Sequence, residues 1–183
     1  MSDAFQRPGP GEYAPYYERY VAAVPDGDLL GILGRQLSAT SELARAIGEE
    51  RAAVSPAPGK WSPRDVLLHV ADTERVMAYR ALRIARGDTT PLPGFEQDDF
   101  AREAGAGERT VADLLDELAA VRGATIALLR SLPAGAPERR GTASGHEVTV
   151  RALAYIIAGH ELHHQRLLRE RHPEAAAATT TRS

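Results

Sequence analysis

The chain has 183 residues, of which 43% are hydrophobic and 26% charged, the size and composition of one soluble globular domain. Its 22 basic and 25 acidic residues give a net charge of -3, and the basic residues are scattered, which argues against nucleic-acid binding. The lack of cysteine excludes disulfides, iron–sulfur clusters and a cysteine nucleophile, so a metal site must use histidine and oxygen ligands. Neither an apolar run of roughly 20 residues nor a signal-peptide core is present, so we expect a cytoplasmic protein without a membrane span.

The two ends of the chain differ in composition from its middle. Residues 1–12 are rich in glycine and proline, and residues 173–183 are a low-complexity run dominated by alanine and threonine. We therefore predict a flexible tail at the N-terminus, one domain over residues 13–172, and a disordered tail at the C-terminus. Four tyrosines near the start of this domain are expected to pack across one end of it or, alternatively, to line a pocket: Tyr13, Tyr16, Tyr17 and Tyr20.

Four segments have apolar residues at the three- and four-residue spacing of amphipathic helices, and stretches rich in proline and glycine separate them. In chain order we predict helices over residues 28–51, 62–87, 110–132 and 149–173. The side chains that can cap the first three starts are Asp28, Ser62 and Thr110. In the second helix, Pro63 at the first helical position and Asp65 at the capping-box position support the start. This count predicts an all-α fold, a four-helix bundle.

Three histidines occupy positions on these helices where core residues belong. His160 and His164 continue the inner stripe of the fourth helix, and His69 lies on the inner stripe of the second. Residues four apart on a helix have Cβ atoms about 6 Å apart, so one ion can bind both His160 and His164 with metal–nitrogen distances of about 2.1 Å. His69 is the best candidate for a third ligand. Three neutral imidazoles would leave the open coordination position that is typical of a catalytic metal site.

Other interpretations of these residues are open. Each histidine could be a core residue held by hydrogen bonds, although burying three imidazoles without a shared partner would cost about 1 to 3 kcal/mol each. Asp72 and Glu74 could hydrogen-bond the ligands or face solvent. His163 is expected at the surface or behind a ligand, and His146 in a loop before the last helix, so neither is predicted to bind the ion.

The string HELHH, residues 160–164, also satisfies the HExxH pattern of zinc metalloproteases, with Glu161 as the general base. Such enzymes take a third ligand downstream, but the chain after His164 is short, and Glu170 and His172 lie too close on the same helix. No strand is predicted that could hold a peptide substrate. A protease is therefore the least favoured interpretation.

Two segments resemble the DinB-like (YfiT-like) family of metal-dependent proteins: PGKWSPRDVLLHVADTERVMAYRALRIARGDTTPLPGF and AGHELHHQRLLRER. The segment YYERYV is similar to the start of that family's domain, so the resemblance extends over residues 16–171. It implies a four-helix bundle of up-down-down-up topology with long connections. It also implies a divalent metal, often nickel or zinc, because His69, His160 and His164 match the family's single histidine and its HxxxH pair.

Relatives in that family include thiol-dependent S-transferases and a mycothiol-dependent maleylpyruvate isomerase, so the resemblance implies a metal more firmly than a reaction. We expect a metalloenzyme whose zinc or nickel ion, with manganese or iron as alternatives, activates a low-molecular-weight thiol or water for attack on a small molecule. The alternative is a metal-stabilised bundle that serves for binding or dimerisation without catalysis. We also predict a homodimer. Arg80 and Arg83 are interpreted as charges on a helix surface.

Overall fold

The computed structural model of the protein describes residues 5–180, most of which are helical. The helices are, in order, α1 (Glu18–Val21), α2 (Leu29–Ile47), α3 (Glu49–Ala52), α4 (Pro63–Ala85), α5 (Gln97–Glu103), α6 (Val111–Arg130), α7 (Val150–Arg171) and α8 (Pro173–Thr180). Two strands, β1 (Arg140–Ala143) and β2 (His146–Thr149), pair antiparallel. The long helices α2, α4, α6 and α7 correspond to the four predicted ones and confirm the four-helix bundle. Within residues 5–180, no helix combines the length and apolar character needed to cross a membrane.

Side-chain caps explain where the four long helices begin. At the start of α4, Ser62 Oγ accepts a hydrogen bond from the Asp65 N–H, and the Asp65 carboxylate accepts one from the Ser62 N–H at 2.9 Å. Asp28, Thr110 and Thr149 cap the other three helices through their side-chain oxygens. Each such cap stabilises a helix by about 1 kcal/mol. The starts of α2, α4 and α6 are therefore determined by local chemistry that the sequence shows directly.

The directions of the helices follow from the residues that interact across them. Two pairs of helices run parallel, because the numbers of interacting residues rise together along both members of each pair. Between α2 and α7, Gln36 bonds Ala158 and Thr40 bonds Glu161. At the start of α4, Arg64 bonds Gly107 just before α6, and further along Arg75 pairs with Glu117 of α6. By contrast, α4 runs antiparallel to α7. Trp61, just before α4, stacks on His164 near the end of α7, whereas Arg80 near the end of α4 bonds Ser144, which precedes α7. This arrangement is the predicted up-down-down-up topology.

A layer of buried polar side chains divides the apolar core into two clusters. One cluster contains the N-terminal halves of α2 and α7 and the C-terminal halves of α4 and α6. The other cluster contains the C-terminal halves of α2 and α7 and the N-terminal halves of α4 and α6. The polar residues lie between the two on every long helix: Gln36, Thr40, His69, Thr73, Glu74, Arg122, Thr125, His160, Glu161, His164 and Gln165. Buried polar groups are costly unless they are hydrogen-bonded or bind a ligand. This layer is therefore where a functional site is expected.

The first long helix ends earlier than predicted, at Ile47 instead of Arg51. Gly48 leaves the helical conformation with a φ of 80°, which separates α2 from the single turn of α3. The third predicted helix likewise ends at Arg130, before Leu132. Both differences lie at helix ends, where the sequence pattern carries the least information.

The C-terminal segment predicted to be disordered is helical over residues 173–180, whereas residues 181–183 lie outside the described chain. Ala175 is 2% exposed and belongs to one of the apolar clusters. Glu174 pairs with Arg51 at 3.2 Å. Alanine has the highest helix propensity, so this alanine-rich segment forms a helix readily, and the burial of Ala175 holds that helix against the bundle.

The N-terminal segment predicted to be a flexible tail packs on the bundle from residue 5 onward, and residues 1–4 lie outside the described chain. Phe5 is 3% exposed, and its carbonyl accepts a hydrogen bond from Tyr155 Oη at 3.2 Å. Arg7 donates to the carbonyls of Val21 and Val24, both at 2.6 Å. These contacts tie an irregular segment to the helices, which glycine and proline content alone does not reveal.

Glu12 anchors this segment to the start of α7, and its contribution should depend on pH. Its carboxylate accepts from Arg151 at 2.6 and 2.7 Å and from Thr149 Oγ1 at 2.9 Å. The hydrogen bonds from Arg151, above all, lower the pKa of Glu12 from 4.5 to about 2. Because the pKa is lower in the folded state, the interaction stabilises the fold above pH 4.5 and is lost as the pH falls toward 2.

We expect Glu12→Gln to lower the free energy of unfolding by about 1 to 3 kcal/mol at pH 7. The difference from wild type should shrink at pH 3, which urea unfolding at the two pH values will measure. Asp26→Asn is the matched control, because Asp26 pairs with Arg7 but its side chain is 97% exposed. An equal loss of stability at both pH values for Glu12→Gln would contradict this account.

A β-hairpin that was not predicted connects α6 to α7. Ser144 and Gly145 form its two-residue turn with φ values of 52° and 78°, the positive values that such tight turns require. Leu92, from the connection between α4 and α5, pairs with the hairpin: its N–H donates to the Thr142 carbonyl at 2.9 Å, and its carbonyl accepts from the Ser144 N–H at 3.0 Å. The hairpin thereby holds Ser144 beside Arg80 of α4.

Candidate metal centre

The three predicted ligands meet in the polar layer. His69 of α4 and His160 and His164 of α7 are 5%, 7% and 8% exposed. Nε2 of His160 lies 3.0 Å from Nε2 of His69 and 3.1 Å from Nε2 of His164. Two nitrogens bound to one ion at about 2.1 Å are roughly 3.0 to 3.4 Å apart, so these separations suit a shared ion. Within residues 5–180, this is the one group of three or more histidine, aspartate or glutamate side chains whose ligand atoms all lie within 4.8 Å of one another.

Burial keeps the three imidazoles neutral, which is the form that binds a metal. Loss of hydration lowers the pKa of His69 from 6.5 to about 4. Burial, followed by the unfavourable interaction that a protonated His164 would have with the adjacent His69, lowers the pKa of His164 to about 3. The pKa of His160 also lies well below its usual value, mainly because of burial. At neutral pH each ring therefore has a lone pair available for an ion.

Hydrogen bonds among the histidines account poorly for this convergence. A neutral imidazole has one N–H and one lone pair on its other nitrogen, yet His160 Nε2 has two nitrogen neighbours at hydrogen-bond distance. His164 Nδ1 is buried without a hydrogen-bond partner in the described chain, so no protein group explains the orientation of that ring from its other side. A divalent ion, which takes one lone pair from each ring, fits this set of donors.

Aromatic side chains hold the imidazoles from two sides. The Trp61 ring lies 4.4 Å from the ring of His69 and stacks on that of His164 at 6.4 Å, as measured between centroids. Tyr20 of α1 meets His160 edge-on at 5.5 Å. Rings fixed in this way lose little conformational freedom when they bind a ligand, so the site is pre-organised.

Two cavities reach the histidine cluster. The tyrosine cavity, of about 250 Å³, has His160 in its wall together with Tyr16, Tyr17, Tyr20, Thr73, Arg80 and Ser144. The tryptophan cavity, of about 270 Å³, contains His164, Trp61, Lys60 and Arg171. Gln97 of α5 contributes to both walls. A third cavity, of about 360 Å³ near Pro56 and Leu168, contains none of the three histidines. Small molecules can therefore approach the cluster through the first two.

Glu161, the general base that the protease interpretation requires, points away from the histidines. It is fully buried, and its carboxylate accepts from Arg122 Nη2 at 2.7 Å and from Thr40 Oγ1 at 2.6 Å. Glu74, which could have faced solvent or the ligands, is 2% exposed and accepts from the same guanidinium at 2.7 Å. Both carboxylates thus belong to a buried ion-pair network. The HExxH pattern lacks its base at the metal-binding face.

Three further residues that the sequence analysis considered lie outside the cluster. Asp72 accepts a hydrogen bond from Arg75 at 2.9 Å on the outer face of α4. His163 is half-buried, with its ring edge against His164 at 5.3 Å between centroids. His146 is exposed at the start of β2, where the sequence predicted a loop.

Arg80 is buried, so its interpretation as a surface charge is wrong. It is 3% exposed, and its guanidinium donates to the Pro93 carbonyl at 2.7 Å and to Ser144 Oγ at 2.9 Å. Arg83, interpreted in the same way, is half-buried and bonds Asp88 near the end of α4. The sequence interpretation missed two features of the tyrosine cavity: Arg80, and the hydroxyl of Thr73, which has no hydrogen-bond partner within residues 5–180.

The fold and the site together define a helical bundle with a buried three-histidine cluster suited to a divalent metal. The model of the DinB superfamily matches residues 32–168, and the chain belongs to this superfamily. It is similar to YfiT from Bacillus subtilis, described as a probable metal-dependent hydrolase with an unusual four-helix bundle topology, with 18% identity over 88% of this chain and 94% of that one and a TM-score of 0.67. It is also similar to the DinB-like protein YjoA from Bacillus subtilis, with 23% identity over 78% and 87% and a TM-score of 0.55. No curated protein matches the chain.

Proposed function

We propose that this protein is a metal-dependent enzyme in which His69, His160 and His164 hold one divalent ion and a small nucleophile attacks a small-molecule substrate beside it. The observation that carries the proposal is the convergence of three neutral, buried imidazoles next to cavities that open to solvent. The description of YfiT as a probable metal-dependent hydrolase makes hydrolysis the first reaction to test. Transfer to a low-molecular-weight thiol is the close variant, because the same site would activate either nucleophile.

When bound, a zinc or nickel ion, or alternatively manganese or iron, would act as a Lewis acid that lowers the pKa of a coordinated water or thiol. The residues of the chain supply the other requirements. Trp61 and Tyr20 orient the imidazoles, and the two cavities admit the substrate. Burial raises the pKa of Tyr20 to about 12, so its hydroxyl stays protonated in the tyrosine cavity at neutral pH and can donate a hydrogen bond.

Metal content is the direct test of the site. We expect protein purified without a metal-affinity column to contain a single divalent ion per chain, and His69→Ala, His160→Ala and His164→Ala each to lose most of it, because two imidazoles bind weakly. Elemental analysis measures this content, and a fall in melting temperature on adding a chelator is the second readout. His163→Ala is the matched control, as it lies on the same helix outside the cluster. Full metal content in all three ligand variants would refute the site.

Turnover separates an enzyme from the alternative, a metal-stabilised bundle for binding or dimerisation. Metal-loaded protein is tested on a panel of esters, amides and phosphoesters, with and without added thiols. If the chain is an enzyme, His69→Ala abolishes turnover while the protein remains folded. If no compound reacts and His69→Ala only lowers the melting temperature, the binding module is the better account. The homodimer and the cytoplasmic location remain predictions.

A further inference from the structure

Two arginines are almost fully buried in the part of the chain that the structure describes, and their surroundings differ. Arg122 is 1% exposed and is neutralised by Glu74 and Glu161. Arg80 is 3% exposed and forms no ion pair with a described carboxylate. A guanidinium stays protonated in proteins, and a buried charge without a counter-charge is unfavourable. The position of Arg80 therefore requires an explanation other than stability.

The hydrogen bonds of Arg80 leave some of the N–H donors of its guanidinium without a strong acceptor. Its strong contacts are made by one nitrogen, Nη2, with the Pro93 carbonyl and Ser144 Oγ. Nη1 contacts the sulfur of Met77 at 3.6 Å, a weak acceptor, and the guanidinium also hydrogen-bonds the Tyr17 side chain in the same cavity wall. A guanidinium has five N–H donors arranged to bind the two oxygens of a carboxylate or phosphate group. The two neutral partners of Nη2 fix the plane of the guanidinium without cancelling its charge.

The same cavity wall contains a second polar group without a partner. Thr73 is 4% exposed, and its Oγ1 is buried with no hydrogen bond to any described residue. It lies one helical turn after His69 and two turns before Arg80, and all three are on the inner face of α4. Glu96, at the exposed edge of the cavity, is the one carboxylate in the wall and makes no bond to Arg80. A cation, a free hydroxyl and the histidine cluster are therefore aligned along one side of the tyrosine cavity.

We propose that the tyrosine cavity binds a substrate that carries a carboxylate or phosphate group, and that Arg80 binds this anionic group. This inference rests on the proposed function, since it places the reacting end of the substrate at the histidines. The Cα atoms of His69 and Arg80 are roughly 16 Å apart along α4, from the helical rise per residue. Because helical side chains lean toward the N-terminus, the guanidinium lies closer to the histidines than its Cα does. Thr73 Oγ1 then contacts the middle of the substrate, whose anionic group is distal to the bond that reacts.

Binding of simple probes tests the proposal without knowledge of the substrate. Benzoate, phenyl phosphate and the neutral benzamide are titrated calorimetrically into metal-loaded and metal-depleted protein. The variants are Arg80→Met, which keeps the length of the side chain without its charge, and Arg80→Lys, which keeps the charge. Arg83→Met, one turn away on the same helix, is the matched control. The two anionic probes distinguish a carboxylate from a phosphate as the preferred group.

We expect wild-type protein to bind at least one anionic probe more tightly than benzamide, with or without metal. Arg80→Met should weaken that binding about 10- to 100-fold, the usual effect of losing a charge-assisted pair. Arg80→Lys should weaken it less, and Arg83→Met should not change it. Equal affinity for benzoate, phenyl phosphate and benzamide in wild type would refute the proposal, even if Arg80→Met failed to fold. So would anion binding that disappears with the metal and is unchanged in Arg80→Met.

Metal content, measured on the same samples, separates the two hypotheses. Full metal content with no preference for anions would leave the metal centre in place and remove the anion site. Anion binding that depends on Arg80, in a protein that binds no metal, would support the anion site and refute the metal centre.

Discussion

Arg122→Leu is expected to lower the free energy of unfolding by about 3 to 5 kcal/mol, the effect of removing one partner from a buried ion pair. The guanidinium of Arg122 donates to Glu74 of α4, to Glu161 of α7 and to the Leu33 carbonyl of α2. It lies on α6 itself, so one side chain connects all four long helices. Leucine would fill part of the space but leave two carboxylates buried without a cation.

Urea unfolding measures this loss, and a surface arginine supplies the comparison. Arg75→Leu removes ion pairs with Asp72 and Glu117 from a side chain that is 46% exposed, so its effect should stay below about 1 kcal/mol. Adding Glu74→Leu to Arg122→Leu should recover part of the stability, since one buried charge is then removed. If Arg122→Leu cost no more than Arg75→Leu, the network would not stabilise the fold.

This network also explains how the histidines are positioned. Glu161 follows His160 in the chain, and its bonds to Arg122 and Thr40 fix the rotation of α7 about its axis. That rotation directs His160 and His164 toward His69 on α4. His160 and Glu161 look like parts of one protease site in the HELHH string. Successive positions of a helix point about 100° apart, so His160 faces the histidine cluster whereas Glu161 faces the ion-pair network.

The histidine cluster was predictable because each member lies on an apolar stripe whose period is visible in the sequence. His160 and His164 continue such a stripe on α7, and burial of both follows from helical spacing alone. His69 follows the same rule on α4. The Nε2 distances of 3.0 and 3.1 Å within the cluster also require α4 and α7 to be neighbours. The apolar stripes do not show which helices are neighbours, and that information came from the family resemblance.

The burial of Arg80 and Arg122 was not predicted, although both arginines occupy positions on apolar stripes of the sequence. Arg122 stands between Leu118 and Thr125 at steps of four and three, and Arg80 stands between Met77 and Ile84 at steps of three and four. A charged residue at such a position is usually assigned to the surface, because its burial needs partners. Those partners are on other helices or in the hairpin turn. Only the tertiary structure identifies them.

Gly159→Ala is expected to cost about 3 kcal/mol or more, although alanine favours a helix over glycine. A Cβ at this position of α7 would lie 1.9 Å from the backbone carbonyl oxygen of Tyr20. Backbone cannot rotate away as a side chain can, so α1 must move by more than about 1 Å or detach. Since Tyr20 also packs edge-on against His160, this movement would open the wall of the tyrosine cavity.

Gly123→Ala is the matched control, because Gly123 lies within α6 and a Cβ there would meet nothing within 4 Å. It should stabilise the protein by about 0.5 to 1 kcal/mol, so the same substitution is expected to have opposite signs at the two sites. Thermal unfolding of both variants measures this difference. Equal stability of the two variants would mean that α1 does not pack against α7 at Gly159.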